Sequence, residues 1–320
     1  MGETQAGTDE IAHRARRAAI DGIAPGATVR AIRWSGGATE AIELGSGDPI
    51  LLIHGGAGEA GHWLPLMAIL ADSHRVIAVD APGHGLADPC DFSDDLYALG
   101  ARFIGEVLNA LGIGRAIVGG HSMGGLFAVG FAQAYPERVA QLLLIGAPAG
   151  TTRRAPLPLK LLRWPWTRPL AAKVMRNRDT ASVRTRLGRL LVAHPERLDE
   201  TLVASFAATT ARNVPSIIRF VSRAIDLRGR VRDETMLAPH WGALRVPVTF
   251  IWGDQDRADG PEAGEHIVRG VTGSVLVRIP DAGHQPALDD PAAVVGAIRA
   301  AVGNPVRAVA MRNPTRQLTA

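Results

Sequence analysis

The sequence predicts an α/β fold in which a mostly parallel β-sheet carries helices on both faces and is interrupted by a helical cap. Short apolar runs of four to six residues, bounded by glycine, proline or polar residues, are typical of buried parallel strands. Helical patterns separate these runs, and such alternation favours helices packed on a parallel sheet. Residues 151–240 have no strand pattern and divide the alternation into two blocks.

The first block, residues 28–150, is predicted to begin with an antiparallel pair of strands. Val29–Trp34 and Thr39–Leu44 are the two runs, and Gly36-Gly37 joins them. The predicted buried strands that follow are Ile50–Ile53, Arg75–Val79, Ala116–Gly119 and Gln141–Ile145, and the predicted helices between them are Trp63–Ala71, Asp94–Leu111 and Gly124–Tyr135.

The middle segment, residues 151–240, is predicted as a helical cap. Its helical patterns are Ala181–Ala193, Asp199–Arg212 and Pro215–Ile225, whereas four prolines break its opening into short pieces. The second block, residues 241–303, contains strand patterns at Val246–Trp252 and Val275–Ile279 and helical patterns at Pro261–Arg269 and Pro291–Val302. Residues 1–27 form an N-terminal extension without a predicted role, and residues 304–320 are expected to be a flexible tail.

Composition limits the class of protein. The 320 residues are 47% hydrophobic and 21% charged, which suits one large domain or one domain with an insertion. The single cysteine, Cys90, excludes a disulfide framework and a zinc site built on several thiolates. The sequence contains no run of about 18 apolar residues, so no transmembrane helix is predicted. The N-terminus lacks the basic start and apolar stretch of a secretory signal, so a cytoplasmic location is expected.

The middle segment is strongly basic. Residues 151–240 carry 18 Arg and Lys against 7 Asp and Glu, whereas the rest of the chain carries 17 against 24. Such a balance could favour acidic substrates, an anionic membrane surface or nucleic acid. We expect a solvated helical surface and no nucleic-acid partner, because nothing else resembles a nucleic-acid-binding module. The apolar residues of the cap opening, Trp164 and Trp166 included, either form a lipophilic entrance that could contact a membrane or pack the cap on the core; packing is the favoured interpretation.

The motif Gly120-His121-Ser122-Met123-Gly124 follows a predicted strand and opens a predicted helix. A serine on such a turn is held in a strained, exposed position, and the flanking glycines allow close backbone approach. The N-terminus of the helix directs free N–H groups at developing negative charge. An N-cap serine after a glycine-rich turn is the alternative interpretation. We predict that Ser122 is a catalytic nucleophile.

A serine hydroxyl needs a base within hydrogen-bonding reach, and the base needs an orienting acid. His284 is the candidate base because it follows the last predicted strand, and parallel sheets have their chemistry at the carboxyl ends of strands. Asp254 and Asp256 follow the penultimate strand, and either could reach His284 after folding.

The oxyanion of acyl transfer needs preorganised N–H donors. Met123, the residue after the nucleophile, supplies one. The segment His54-Gly55-Gly56-Ala57-Gly58 follows another predicted strand and can supply the second, with Gly56 as the first candidate and Ala57 as the next. A glycine-rich turn without this role is the alternative interpretation of the segment.

Together these motifs resemble the α/β-hydrolase superfamily, in its capped group of esterase-like and C–C-bond-hydrolase-like enzymes. The resemblance is carried by His54-Gly55-Gly56, Asp80 to Gly85 with Asp88, Gly120 to Gly125, Gly253 to Asp256, and Gly283-His284. It implies the α/β-hydrolase fold with an eight-stranded, mostly parallel sheet. It also implies that Asp256 rather than Asp254 is the catalytic acid, and that neither a metal nor an organic cofactor is required.

The motifs and the resemblance imply a serine hydrolase that cleaves a small-to-medium apolar carboxylic ester or lactone through an acyl-enzyme. We expect substrate contacts from Ala57, Trp164, Trp166 and Gln285, and a monomer or a homodimer. Ser122 argues against the related dehalogenases and epoxide hydrolases, which use an aspartate nucleophile.

Two alternatives remain open. The first is a C–C bond hydrolase of ring-fission dienoic acids, which a basic cap would suit. Such enzymes usually have tryptophan after the catalytic histidine, where this chain has Gln285, and an arginine near the position of Ser205. The second is a non-catalytic, ligand-binding member of the fold.

Overall fold

The computed structural model describes residues 5–303 and contains one sheet with helices on both faces. The strands in this range are β1 (Thr28–Trp34), β2 (Gly37–Leu44), β3 (Pro49–Ile53), β4 (Arg75–Val79), β5 (Ala116–His121), β6 (Val139–Ile145), β7 (Val248–Gly253) and β8 (Val275–Ile279). The expected flexible tail, residues 304–320, lies outside the described range.

The helices described are α1 (Gln5–Ile23), α2 (Leu64–Leu70), α3 (Leu96–Ala110), α4 (Met123–Ala134), α5 (Leu157–Arg163), α6 (Arg168–Arg176), α7 (Thr180–Leu190), α8 (Glu200–Ala224), α9 (Pro261–Gly270), α10 (Pro286–Asp289) and α11 (Pro291–Gly303). Helices α5 to α8 lie between β6 and β7, in the segment whose sequence predicts a cap. Among the described residues, no helix combines the length and the apolar character needed to cross a bilayer.

The strand order across the sheet of the described residues is β1-β2-β4-β3-β5-β6-β7-β8, and β2 alone runs against the others. The predicted eight-stranded, mostly parallel α/β-hydrolase sheet is therefore confirmed. β3 pairs with both β4 and β5, so the chain builds outward from β3 on one side and then on the other. Ligands of open α/β sheets bind at such a reversal, beyond the carboxyl ends of the strands.

Alternation along β3 divides the core between the two faces of the sheet. Leu51 and Ile53 belong to a cluster that also contains residues of α3 and α4. Ile50 and Leu52 belong to a second cluster with residues of α2 and α11. Because all four side chains are fully buried, β3 is apolar on both faces, as expected at the centre of a parallel sheet.

The cap differs from its prediction in one element. The sequence predicts separate helices over Asp199–Arg212 and Pro215–Ile225, but α8 runs without a break through Pro215. Proline removes one backbone hydrogen bond from a helix and therefore favours a break. Contacts on the preceding turn fix the helix here, since Asn213 donates through Nδ2 to the carbonyl oxygen of Gly85 in the core at 2.6 Å.

The N-terminal extension forms α1, which packs on α8 of the cap and on α2 of the core. Ala19 and Ile20 are buried in the same cluster as residues of β3. Arg212 of α8 donates through Nε to Asp9 of α1 at 2.6 Å. α1 therefore joins the cap helix to the sheet domain.

Candidate active site

Ser122 lies on the turn between β5 and α4 with a backbone φ of +50°. This left-handed conformation costs an L-residue about 1–3 kcal/mol and persists where the surroundings impose it. A Cβ on Gly120 would collide with the carbonyl of Gly124, and a Cβ on Gly124 would collide with that of Ile53. The two glycines of the motif therefore let strand and helix approach closely enough to hold Ser122 in this turn.

His284 lies in the loop after β8, with its Nδ1 atom 2.9 Å from Oδ2 of Asp256. Because an ionised carboxylate only accepts hydrogen bonds, Nδ1 carries the proton and Nε2 is left to accept one. The structure brings Asp256 rather than Asp254 to the histidine. Asp254 instead pairs with Arg278 at 2.6 Å.

Backbone donors hold the carboxylate of Asp256. Its Oδ1 accepts from the N–H of Ala258 at 2.8 Å and of Asp259 at 3.3 Å, and its Oδ2 also accepts from the N–H of Ala147 at 3.3 Å. Burial would raise the pKa of Asp256, but the charge and hydrogen bond of His284 and these donors hold it below its ordinary value. Asp256 is therefore ionised at neutral pH and oriented toward the imidazole.

The pKa of His284 is shifted in the opposite direction. Burial lowers it, but the charge of Asp256, their hydrogen bond and the charge of Asp259 together raise the pKa above its ordinary value of 6.5. The imidazolium is therefore stabilised at the position where a general base would take up a proton.

Close backbone packing fixes the loop that carries His284. A Cβ on Gly146 would collide with the carbonyl oxygen of His284, and a Cβ on Gly253 would collide with that of Gly283. The carbonyl oxygen of His284 accepts from Nε2 of His121 at 3.2 Å. Burial, with the neighbouring histidines, lowers the pKa of His121, so this ring is neutral and supports the loop.

Ser122 and His284 line the same cavity. Within residues 5–303, Ser122 Oγ makes no hydrogen bond to His284, whose side-chain hydrogen bond goes to Asp256. Nucleophile–base contacts are often long before substrate binds and shorten in the complex. The arrangement therefore holds the acid–base pair in place and leaves the serine beside it.

Gly56 and Met123, the residues predicted to bind an oxyanion, line this cavity as well. Met123 is the first residue of α4, where backbone N–H groups have no partner within the helix. Gly56 lies in the loop after β3, where Thr210 of α8 donates through Oγ1 to the carbonyl oxygen of Ala57 at 3.2 Å. The cap helix thus contacts the loop that carries one of the two donors.

The cavity has a volume of about 190 Å³ and mostly apolar walls. Its cap-side lining includes Leu159, Leu162, Met175, Ile217, Phe220 and Val221. Polar groups are contributed by Thr152, Arg154 and Asp259. Burial raises the pKa of Asp259 to about 6, although the hydroxyl of Thr152 donates to it at 2.6 Å.

The predicted substrate contacts separate into two groups. Ala57 lines the cavity, whereas Trp164, Trp166 and Gln285 do not. Gln285 is fully buried, Trp166 is largely exposed to solvent, and Trp164 donates through Nε1 to the carbonyl oxygen of Leu227 at 3.0 Å. These three side chains therefore lie outside the walls of the cavity, and a contact between any of them and a substrate stays a prediction.

A buried charge network behind the cavity was not predicted. Arg16 of α1 is 1% exposed, and it pairs with Glu59 at 2.5 Å and closely with Asp80. Glu59 is in the loop that begins at His54, and Asp80 accepts at 2.7 Å from the N–H of Ala60 in the same stretch. We refer to Arg16, Glu59 and Asp80 as the Arg16 network. It connects α1 to the loop that carries Gly56.

The shifts within the Arg16 network follow from burial and charge. Burial would raise the pKa of Asp80, but Arg16 holds it below its ordinary value. Burial raises the pKa of Glu59 despite the same arginine. A sequence signal for the network existed, because Arg16 lies among Ala12, Ala19 and Ile20 on the apolar face of a helical pattern.

Across the residues described, no three His, Cys, Asp or Glu side chains are grouped so that they could hold a metal ion.

Comparison with known families and sequences gives concordant matches. The family model for the alpha/beta hydrolase fold matches residues 48–291. An uncharacterized protein of Mycobacterium tuberculosis is 33% identical over 261 residues, which cover 78% of this chain and 73% of that protein. A 2-hydroxy-6-oxo-6-phenylhexa-2,4-dienoate hydrolase of Burkholderia cepacia is 26% identical over 247 residues, which cover 76% of this chain and 83% of that enzyme.

Solved structures give a similar result. A thermophilic esterase of Thermogutta terrifontis superposes with a TM-score of 0.67 at 25% identity, covering 87% of this chain and 99% of the esterase. Carboxylesterase CesB of Bacillus subtilis superposes with a TM-score of 0.67 at 19% identity over 91% of this chain and 96% of that protein, a likeness of fold alone.

Proposed function

The chain belongs to the α/β-hydrolase family, and from this premise we propose that it is a serine hydrolase that cleaves a carboxylic ester or lactone through an acyl-enzyme. The observation that carries the proposal is the Asp256–His284 hydrogen bond beside a cavity that Ser122 also lines. The apolar walls and the volume of about 190 Å³ favour a small-to-medium apolar acyl group.

In the proposed acylation, Ser122 Oγ attacks the carbonyl carbon while its proton passes to Nε2 of His284. Asp256 holds the Nδ1–H tautomer and stabilises the imidazolium. The N–H groups of Gly56 and Met123 stabilise the oxyanion. The bond to the leaving oxygen then breaks, and His284 returns its proton to that oxygen.

Deacylation repeats these steps with water as the nucleophile. His284 takes a proton from water as the oxygen attacks the acyl carbon, and the same N–H groups stabilise the second oxyanion. Collapse of this intermediate releases the carboxylic acid and returns the proton to Ser122 Oγ. A lactone follows the same course, with the leaving hydroxyl retained in the product.

A panel of p-nitrophenyl esters of increasing acyl length tests the proposal. We expect turnover that is highest for short or medium acyl chains and is abolished by Ser122→Ala. Ser274→Ala is the matched control. Ser274 precedes β8, at the amino ends of the parallel strands, whereas Ser122 follows β5 at their carboxyl ends, so this substitution should leave turnover unchanged. Absence of turnover across the panel, or turnover retained by Ser122→Ala, would contradict the proposal.

The second candidate function is hydrolysis of a C–C bond in a dienoic acid. The similarity to dienoate hydrolases supports it, as does Arg154 in the cavity lining, which suits a carboxylate substrate. The differences at Ser205 and Gln285 weigh less than the sequence suggests, because neither residue lines the cavity. Loss of the yellow colour of a dienol substrate at a rate exceeding ester turnover would favour this function. A non-catalytic role is disfavoured because every triad position is filled.

A further inference from the structure

The two helices at the front of the cap, α5 and α6, have apolar side chains on opposite faces. Inward, Leu159, Leu162 and Met175 line the active-site cavity. Outward, Leu157 and Leu170 are 61% and 68% exposed. A helix with apolar residues around most of its circumference is normally surrounded by apolar material. On these helices the outward side chains of Leu157 and Leu170 are left to solvent.

The exposed apolar residues form one patch. We call Leu157, Trp166, Leu170, Val174 and Leu227 the cap-front patch; five of the seven large hydrophobic side chains that are exposed among residues 5–303 belong to it. Leu170 and Val174 are four residues apart on α6 and therefore lie on one side of the helix. Trp166 lies in the turn that precedes α6.

Two contacts connect Trp166 to the turn that carries Leu227. The ring of Trp166 stacks on Trp164 with centroids 6.0 Å apart, and Trp164 donates to the carbonyl oxygen of Leu227. The stem of Lys160 in α5 lies against Gly229 in the same turn. The cap-front patch therefore extends over α5, α6 and the turn at 226–229, and α5 contacts both of the others. At 73% exposure, Trp166 does not pack on the core, which is the role expected of the apolar residues of the cap opening.

The charged side chains of α5 and α6, the helices under the cap-front patch, are all basic. Residues 151–178 contain eight arginines and lysines and no aspartate or glutamate. Six of the eight make no ion pair within 4.0 Å in the described part of the chain: Arg154, Lys160, Arg163, Arg168, Lys173 and Arg176. Arg163 and Arg168 donate to carbonyl oxygens instead. Long basic side chains with apolar stems beside exposed tryptophan and leucine are typical of segments that lie in a bilayer interface.

We propose that the cap-front patch docks the protein on an anionic lipid bilayer, with Trp166, Leu170 and Val174 in the interface and the surrounding basic side chains on the lipid headgroups. A second copy of the chain fits less well, because two basic patches would repel each other across a shared interface. Since the inner sides of α5 and α6 line the cavity, docking would bring its cap-side wall to the membrane. Entry of a lipid-dissolved ester by this route rests on the proposed function, whereas docking itself does not.

Flotation of the full chain with vesicles tests the proposal. We expect binding to phosphatidylcholine vesicles that contain a quarter of phosphatidylglycerol, much weaker binding to phosphatidylcholine alone, and loss of binding in molar salt. Lys173→Glu should weaken binding by more than the roughly fivefold that corresponds to about 1 kcal/mol for one basic residue near the surface. Arg115→Glu is the matched control, because Arg115 is exposed at the amino end of β5, far along the strand from the cap, and should leave binding unchanged.

A second pair of variants tests the apolar contribution. Combined Trp166→Ala and Leu170→Ala should reduce vesicle binding at least tenfold, and Tyr135→Ala, at an exposed aromatic residue outside the cap, should not. Because both residues of the double variant are largely exposed, its thermal unfolding should match that of the parent protein. Trp166 emission should shift to the blue on binding and be quenched by brominated acyl chains.

Three results would overturn the proposal. One is the absence of binding to anionic vesicles at low salt. Another is binding that the double variant and Lys173→Glu leave unchanged. The third is a concentration-dependent dimer that the double variant abolishes, which would assign the cap-front patch to self-association. Ester turnover by vesicle-free protein is measured separately, so failure of docking and failure of the proposed hydrolase activity remain distinguishable.

Discussion

Two regions near the active-site cavity contain arginines, and these arginines differ in burial and in pairing with carboxylates. Behind the cavity, Arg16 is buried against three carboxylates, two of them fully buried, and Arg212 of α8 binds Asp9 and the carbonyl oxygens of Gly85 and Ala87. At the front, the basic side chains of α5 and α6 make no ion pair with the residues that the structure describes, and they adjoin exposed tryptophan and leucine. Buried, paired charge fixes the position of a segment because separation would leave it uncompensated. Unpaired, exposed charge is available to an external partner. Arginine therefore fixes a segment of the fold in the first region, whereas in the second region it can bind an external partner.

The largest effect is expected where buried charge contacts the reacting groups. Asp256→Asn removes the carboxylate that sets the tautomer of His284, and we expect ester turnover to fall by about 10⁴-fold with the fold intact. Asp254→Asn is the control, because Asp254 pairs with Arg278 and does not contact the histidine. The two rates, measured by steady-state ester hydrolysis, should differ by this factor. Equal losses in the two variants would contradict the assignment of the acid.

The next effect is expected in the Arg16 network. Arg16→Ala leaves Glu59 and Asp80 buried without their counter-charge, and breaking a buried pair in this way costs about 3–5 kcal/mol. The free energy of unfolding, measured in urea, should fall by this amount, and Arg16→Lys should recover part of it. Arg14→Ala is the control, because Arg14 is exposed on the same helix. An Arg16→Ala variant as stable as the parent would show that the network does not hold α1 to the core.

A smaller effect is expected in the pH dependence of turnover. His284 acts as a base only when neutral, and its raised pKa should place the acid limb of kcat/KM above pH 6.5. Asp259→Asn removes a charge that raises this pKa, so the limb should move toward lower pH. The same raised pKa stabilises the fold below pH 6.5, and this contribution is lost as the pH rises through the folded-state value. An acid limb below pH 6.5 in the parent protein would contradict these charge interactions.

The smallest effect on stability is expected at the cap front. Trp166→Ala should change the free energy of unfolding by less than about 0.5 kcal/mol, because the ring is largely exposed. Phe220→Ala in α8, which empties a buried position on the cavity wall, should cost about 3–5 kcal/mol. Urea unfolding of the two variants makes the comparison directly. A large loss for Trp166→Ala would mean that the cap front is part of the folded core.

Most of the sheet could be predicted from local pattern. The apolar runs of β3 to β7 are recognisable because strands buried on both faces need continuous apolar sequence, whereas β8 lies at the edge of the sheet and is only partly buried. The prediction of a helix break at Pro215 was wrong. Helix propensity considers the proline without its tertiary surroundings, whereas the contact of Asn213 with the core holds α8 in place. Local rules fail where tertiary contacts supply what the local sequence lacks.

The candidate site likewise contains residues that local sequence predicts and residues whose surroundings depend on the whole fold. Ser122, Met123 and Gly56 were recognisable because tight turns at strand ends demand glycine at fixed spacing. Burial and exposure depend on the whole fold, so the solvent-facing position of Trp166 and the interior position of Gln285 were not predicted. The burial of Arg16 could have been suspected from its apolar helix face, but its partners, Glu59 and Asp80, are distant in sequence.

The proposed hydrolysis requires that Ser122 forms a covalent acyl intermediate. Labelling with a serine-directed fluorophosphonate, followed by intact-mass and peptide analysis, tests this requirement. We expect one adduct, on Ser122, that is absent from Ser122→Ala and much slower to form in Asp256→Asn. Stoichiometric labelling of the Ser122→Ala variant, or an adduct on another residue of the parent protein, would contradict it.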